Sequence, residues 1–361
     1  MKIVHILYSG LGGHSSVTFS LVEADQRKTN QHILIFYGIE DLPPGSIEKC
    51  RQLGISYYFV KKQQGLDIGS YKVIVRTLKA VRPGVILLNS VNLILPVYYY
   101  RLFHKTKIIS IEHEPNHLKG KKDWLWSFLL VPLSKNVVYL TGLYYDQMKQ
   151  KLGLLFSQRK ITVINNGINI GLFKPVVPAT NEAVFRIGML ARLSGTKDHA
   201  TLIKAFALLL KKNTITKDLV LEIAGEGEKQ EGLKALVTEL GIDNKVHFAG
   251  MIPERAAADF LNALDLYVHA SLGETMSTSI MQAMACAKPM IASDIPGINN
   301  MVLPGQTALL VPALDEQQLA AAMEKLIIDD NLRDQLGANA LNYAQAHFSN
   351  TVMFEKYERL F

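Results

Sequence analysis

Short apolar runs alternate with helix-periodic segments along this 361-residue chain, and the alternation pauses once and then starts again. Lys2–Tyr8, His32–Tyr37, Ser56–Val60, Val85–Leu88, Lys107–Ile111 and Val137–Leu140 read as strands. Val17–Ala24, Ile68–Val81 and Tyr144–Lys151 read as helices between them. Short, nearly continuous apolar runs suit strands covered on both faces, as in a parallel sheet crossed by helices. After Lys160–Ile164 come the turn-like Asn165-Asn166-Gly167-Ile168-Asn169 and the aperiodic Lys174-Pro175-Val176-Val177-Pro178, which reads as a linker. Strands are expected again at Arg186–Leu190, Leu219–Ala224, Val246–Phe248, Leu264–Val268, Met290–Ala292 and Ala308–Val311. Helices are expected at Lys229–Leu240, at Glu254–Ala263, and from Asp315 to the end. The length also exceeds what one core usually serves. The reading is therefore α/β, with two doubly wound domains facing a cleft, at 1–170 and 171–345. A C-terminal helix over 346–361 is expected to pack back toward the first domain.

The two cysteines, Cys50 and Cys286, provide no disulfide framework and imply a reducing compartment. MKIVHILYSG reads as a first strand, not a signal peptide. The longest apolar stretch, Val85–Tyr100, is broken by Asn89, Asn92 and Pro96, so no membrane crossing is expected. Charge is unevenly divided. Residues 1–170 hold 22 Lys and Arg against 10 Asp and Glu, whereas residues 171–361 hold 17 against 22. That asymmetry points to an anionic partner on the N-terminal side. Nucleic acid is disfavoured because no reading motif appears and the second half is acidic. An anionic membrane surface remains. In 117–135, Lys119, Lys121 and Lys122 precede Trp124, Trp126, Phe128 and Leu129. This fits an interfacial helix, and equally a core-packed helix with a solvated basic start.

Chemistry concentrates in HASLGETMSTSIMQAMACAKPMIASDIPG, residues 269–297. It reads as strand, loop, helix and strand, with Glu274 in the loop and Met276, Ser277 and Thr278 opening the helix. Free amides at a helix start attract an anion. A carboxylate repels one but suits a hydroxyl-bearing group beside it, so a sugar joined to a diphosphate satisfies both. An ordinary helix cap in a parallel sheet would give the same pattern. In SGLGGHSS after the first strand, Gly10, Gly12 and Gly13 permit close backbone approach to a ligand, or only a tight turn. Ser15 stands where a dinucleotide fingerprint needs glycine, which disfavours a dehydrogenase. His113 follows a strand carboxyl end, where ligands of open α/β sheets sit; it either meets a sugar hydroxyl or reacting group, or is structural.

Taken in order, Gly12-Gly13, His113, NNGIN, GMLARLSGTKD, AGEGE, FAG and GETMSTSIMQAMACAKPMIAS resemble the retaining nucleotide-sugar glycosyltransferases of family 4. Bacterial surface-polysaccharide enzymes are the nearest type. The resemblance implies the GT-B fold of two Rossmann-like domains. It implies that Arg192 and Lys197 hold the donor diphosphate, where cations stabilise the charge of a departing phosphate, and that the amides at Met276–Thr278 assist. It implies Glu274 on donor-sugar hydroxyls, His113 against the sugar near the reacting carbon, Gly12 and Gly13 near the donor phosphate and acceptor, and Gly250 and Met251 in the base-binding region. No metal or other cofactor is expected. One position departs: the family's second glutamate, on the ribose, is here Gln282, a loss of charge assistance on the order of 1 kcal/mol. Thr275, Met276 and Ser277 also replace the tight glycines that usually follow the first acid.

The expected activity is transfer of a hexose or N-acetylhexosamine from a nucleotide diphosphate sugar, with UDP as nucleotide, to a hydroxyl of a lipid-linked or polysaccharide acceptor. The expected location is cytoplasmic, peripheral on the inner membrane face through the basic N-terminal domain. Two alternatives stay open: a UDP-sugar 2-epimerase of the same fold, and a non-catalytic nucleotide-sugar-binding homologue.

Overall fold

The computed structural model describes residues 1–10, 13–65, 67–114, 116, 119–153, 156, 160–176 and 184–361. It divides into two compact units, one of residues 1–169 with 350–361 and the other of residues 170–349.

The first unit holds β1 (Lys2–Tyr8), α1 (Gly13–Ala24), β2 (Gln31–Gly38), α2 (Pro44–Leu53), β3 (Ser56–Lys61), α3 (Ile68–Val81) and β4 (Val85–Leu88). It continues with α4 (Ile94–Phe103), β5 (Lys107–Glu112), α5 (Lys121–Leu133), β6 (Asn136–Tyr139), α6 (Gly142–Leu152) and β7 (Ile161–Val163). Its seven-stranded sheet has the order β3-β2-β1-β4-β5-β6-β7, with every neighbour parallel. Side-chain alternation explains the apolar runs. Val4, Ile6, Ile33, Ile35 and Tyr37 enter one core with Ile74, Leu78, Val97 and Leu130 from the helices. Leu7, Leu34 and Phe36 point the other way, onto Phe19 and Cys50. Each such fully buried aliphatic or aromatic side chain contributes about 1.5–3 kcal/mol.

The second unit holds β8 (Val184–Leu190), α7 (His199–Leu210), β9 (Asp218–Ala224), α8 (Gln230–Glu239), β10 (Val246–Gly250), α9 (Glu254–Ala263) and β11 (Leu266–His269). Then come α10 (Thr278–Ala285), β12 (Met290–Ser293), α11 (Pro296–Asn299), β13 (Leu309–Val311), α12 (Glu316–Ile328) and α13 (Asp330–His347). Its six strands order as β10-β9-β8-β11-β12-β13, again all parallel. Caps set the helix starts: Asp67, Asp198, Ser277 and Asp315 each accept an amide of the first turn.

The last helix, α14 (Asn350–Glu358), belongs to the first unit. Asn350 donates its Nδ2 to the Ser20 carbonyl at 3.0 Å, and Lys107 Nζ donates to the carbonyls of Leu360 and Phe361 at 2.9 and 2.6 Å. The expected boundary at 345/346 moves to 349/350, because α13 runs on to His347.

Three helices lie outside the sequence reading, the four-residue α11 and the longer α2 and α4. In α2 the helix opens on Pro44 and closes on Gly54 at φ 65, with too few apolar residues to show a period. In α4 apolar residues cover all sides, so no polar face marks its repeat. The helix α5 is core-packed. Trp124, Trp126, Phe128 and Leu129 pack against the first unit's core, and the Lys119 side chain is fully buried in an ion pair with Glu112 at 3.2 Å. Ser127 donates to the same Glu112 oxygen at 2.6 Å. Lys119 is therefore spent inside the fold and offers nothing to a membrane. No helix among the described residues is long and apolar enough to cross a membrane.

Candidate functional site

In each sheet the strand order reverses beside the first strand, at β1/β4 and at β8/β11, and loops leaving the carboxyl ends diverge there. In the second unit, residues 191–198 leave β8 and residues 270–277 leave β11. These loops are stitched together: Lys197 bridges Ser271 in antiparallel fashion, the Asp198 amide donates to the Ala270 carbonyl at 3.0 Å, and Leu272 donates to Thr196 at 2.9 Å. The stitching brings Lys197 onto Glu274.

Glu274 Oε1 is the centre of a buried polar group. Lys197 Nζ donates to it in an ion pair, and His269 Nε2 meets it at 2.6 Å. Tyr267 OH lies 3.0 Å from His269 Nδ1, and Ser277 Oγ lies 3.5 Å from His269 Nε2. Burial pushes the Glu274 carboxyl up, but the His269 hydrogen bond and the charges beside it outweigh this and hold it down at about 2. Burial lowers His269, against the opposing pull of Glu274. A neutral His269 that donates from Nε2 to Glu274 accepts from the Tyr267 hydroxyl at Nδ1, the shorter of the two contacts that hydroxyl makes with His269 and the Leu190 carbonyl. The result is a fixed carboxylate at the switch point, oriented from two sides.

Close backbone contacts shape the walls. A Cβ on Gly297 of α11 would stand 1.8 Å from the Glu274 carbonyl oxygen, so only glycine lets that helix abut the Glu274 loop. Gly225, at φ +137, would bring a Cβ to 2.0 Å from the Ala191 carbonyl oxygen, against the loop that carries Arg192.

The other residues singled out in the second unit lie at or beyond the carboxyl ends of β8, β10 and β11 and in α10. Arg192 is exposed on the β8 loop and joins no ion pair among the described residues. Its positive charge helps to lower Glu228, after that residue's backbone hydrogen bonds. Gly250 closes β10 at φ +68 and accepts from the Gly225 amide at 2.8 Å; the Met251 amide donates to Glu226 Oε1 at 3.3 Å. Ser277 caps α10 and takes the Ile280 amide, while its own amide donates to Met301 Sδ at 3.1 Å. Thr278 and Ser279 therefore supply the first-turn amides. Met276 and Gln282 are buried.

In the first unit, His113 lies just beyond β5 and pairs its Nε2 with Asn89 Oδ1 at 2.8 Å, across the β4 carboxyl end. The His14 ring of α1 lies against it, tilted by 35° with centroids 4.1 Å apart. Burial, then the neighbouring His14, pushes His113 well below the usual histidine range. Gly13 begins α1, and Gly12 lies outside the described residues.

Lys197 and Glu274 were expected to serve separate groups, but they form one pair. His269, Tyr267, His14 and Asn89 carry no role in the sequence reading. The signal for His269 was a histidine at the end of an apolar strand, five residues before the loop acid. Among the described residues no three His, Cys, Asp or Glu side chains gather as a metal site would require.

Residues 11–172 match the family described as Glycosyltransferase Family 4, and residues 174–343 match Glycosyl transferases group 1. An uncharacterized glycosyltransferase of Methanocaldococcus jannaschii is 25% identical over 272 residues, 72% of this chain and 69% of that protein. The lipopolysaccharide core biosynthesis glycosyltransferase LpsE of Rhizobium meliloti is 28% identical over 209 residues, 56% of this chain and 58% of that protein. Several of the curated relatives are matched over only about half of their length. Anabaena HepE, solved with UDP-glucose, superposes with a TM-score of 0.81 over 100% of this chain and 99% of that one, at 20% identity, a likeness of fold. From the two matched halves and the paired parallel sheets it follows that the chain belongs to the family 4 glycosyltransferases and has the GT-B fold.

Proposed function

We propose that this chain is a retaining glycosyltransferase that moves a hexose or N-acetylhexosamine from a UDP-sugar to a hydroxyl of a lipid-linked or polysaccharide acceptor. The observation that carries the reading is the buried, ionised Glu274, held by Lys197 and His269 at the β8/β11 switch point, with the exposed Arg192 on the same loop as Lys197. A fixed carboxylate accepts sugar hydroxyls in defined geometry. Two cations and the α10 amides match a diphosphate whose charge grows as the bond to the anomeric carbon breaks. In a front-face transfer that bond breaks as the acceptor oxygen bonds the same face of the carbon, and the acceptor proton passes to the leaving phosphate oxygen. Arg192 and Lys197 serve as the cations for this step, and no metal enters it. Gly250 and Met251 are assigned to the base and Gln282 to a ribose hydroxyl. His113 is assigned to the donor sugar, and Gly12 and Gly13 to the donor phosphate and acceptor.

HepE was solved with UDP-glucose, which supports UDP here. The name of LpsE supports a glycolipid acceptor. The first unit's 24 Lys and Arg against 12 Asp and Glu support an acceptor at an anionic membrane, on its cytoplasmic face. The test is calorimetric titration of UDP, GDP and ADP into wild type and Arg192→Ala. Selective UDP binding that is lost in the variant is expected; absence of binding at millimolar nucleotide sinks the reading. Gln282, uncharged where the family has an acid, favours a second reading in which donor binds without turnover. UDP release from UDP-sugars with acceptor present separates the two.

A further inference from the structure

The helix α4 carries a second apolar stripe that faces out. Ile94, Val97 and Tyr100 are buried in the core, while Leu95, Tyr99, Leu102 and Phe103 are 46%, 53%, 61% and 66% exposed. A helix apolar on all sides is ordinarily buried on all sides. Beside it, α3 presents Lys72, Arg76 and Lys79 at helical spacing, all three exposed and in no ion pair among the described residues. Lys72, Arg76 and Lys79 of α3 and Leu95 and Tyr99 of α4 line one open groove of about 540 Å³, together with Tyr71, Val75 and Pro96, and Leu102 and Phe103 are exposed further along α4. From 61 to 107 the chain has nine Lys and Arg and a single acid, Asp67. Asp67 is itself engaged in capping α3.

We propose that this α3–α4 face docks on an anionic phospholipid bilayer. The proposal deepens the membrane-side acceptor reading above and rests on it, naming the surface that makes the contact. Charge decides the occupant. A second copy meeting this face about a two-fold axis would set Lys72, Arg76 and Lys79 against their own duplicates. A bilayer answers both stripes at once. Lipid phosphates meet the α3 cations, and Leu95, Leu102 and Phe103 enter the acyl boundary, with Tyr99 at headgroup level. On α5, which packs beside α4, Leu125 is exposed as well, whereas Trp124 and Trp126 stay with the core.

Co-sedimentation of the whole chain with phosphatidylcholine vesicles, with and without phosphatidylglycerol, tests this. Binding that requires phosphatidylglycerol is expected. The combined Lys72→Glu, Arg76→Glu and Lys79→Glu variant is expected to bind about a hundredfold more weakly. Tyr99→Ser, Leu102→Ser and Phe103→Ser together are expected to weaken it roughly tenfold or more. Lys204→Glu, Lys211→Glu and Lys234→Glu, the same charge change on the second unit, should leave it near wild type. Both test variants should keep wild-type UDP affinity, so failure of vesicle binding with UDP binding intact overturns this proposal alone, and the reverse result overturns only the donor reading. Equal binding to pure phosphatidylcholine, an unaffected charge variant, or self-association that the serine variant abolishes would each overturn the docking surface.

Discussion

Two buried histidines, one in each unit, show how a neighbour's charge decides what burial does. His113 meets Asn89 at 2.8 Å and His269 meets Glu274 at 2.6 Å, so both are fixed by a short contact to a side chain. Burial lowers both imidazoles. Around His113 the described neighbours include an amide and a second histidine, and burial and then His14 both lower it. Around His269 a carboxylate stabilised by Lys197 pulls the other way. The first site is a neutral, positioned imidazole; the second is a neutral strut behind a permanent negative charge. That division fits the separate roles proposed above for His113 and Glu274.

The largest expected effect comes from cutting the charged cluster. Glu274→Gln leaves the Lys197 ammonium without its carboxylate, and breaking such a pair costs about 3 kcal/mol. His113→Gln removes only a neutral hydrogen bond, about 1 kcal/mol. Urea denaturation of both variants checks the contrast, and equal losses would refute the role given to charge. Next is Gly297→Ala, whose Cβ must displace the Glu274 carbonyl from 1.8 Å, whereas Gly45→Ala meets nothing within 4 Å. A loss of about 2 kcal/mol is expected for the first, and one within about 0.5 kcal/mol of zero for the second. Thermal melts report both, and a harmless Gly297→Ala would mean that the Glu274 loop gives way freely.

Acid sharpens the comparison further. Glu274 is held at about 2 against an ordinary 4.5, so its contribution is complete above 4.5 and disappears as pH falls toward 2. His113 is held below 6.5, so the unfolded chain takes up its proton first and stability falls as pH drops below 6.5. Stability measured against pH should therefore fall less steeply than in wild type below 6.5 in His113→Gln and between 4.5 and 2 in Glu274→Gln; the opposite assignment of the two windows would break the argument. An effect as small as that of His113→Gln is expected from Tyr267→Phe, which removes the hydroxyl 3.0 Å from His269 Nδ1 and costs about 1 kcal/mol. A shift in the imidazole resonances without that cost would show the hydroxyl to be orienting but not stabilising.

Much of the fold was legible because its signals are local. The expected Ile68–Val81, Val85–Leu88 and Glu254–Ala263 coincide with α3, β4 and α9. Each has an amphipathic period or a compact apolar run. The helices α2 and α4 were illegible for opposite reasons, one with too little apolar contrast and the other with no polar face. At the site, Glu274 and Lys197 were readable as chemistry but not as a pair, since 77 residues separate them. His269 was hidden by its strand, where a terminal histidine looks like part of the apolar run.

By itself the sequence determined the alternation that requires two parallel sheets, the caps that start the helices, and the excess of positive charge in the first half. These depend on interactions across a few residues, or on composition alone. Tertiary structure decided which charges meet and which stay exposed: Lys197 on Glu274, Lys119 inside against Glu112, and Lys72, Arg76 and Lys79 beside the outward stripe of α4. The physical reason is that strand order sets which loops and helices become neighbours, and a side chain's charge has consequence only through the partner that order supplies.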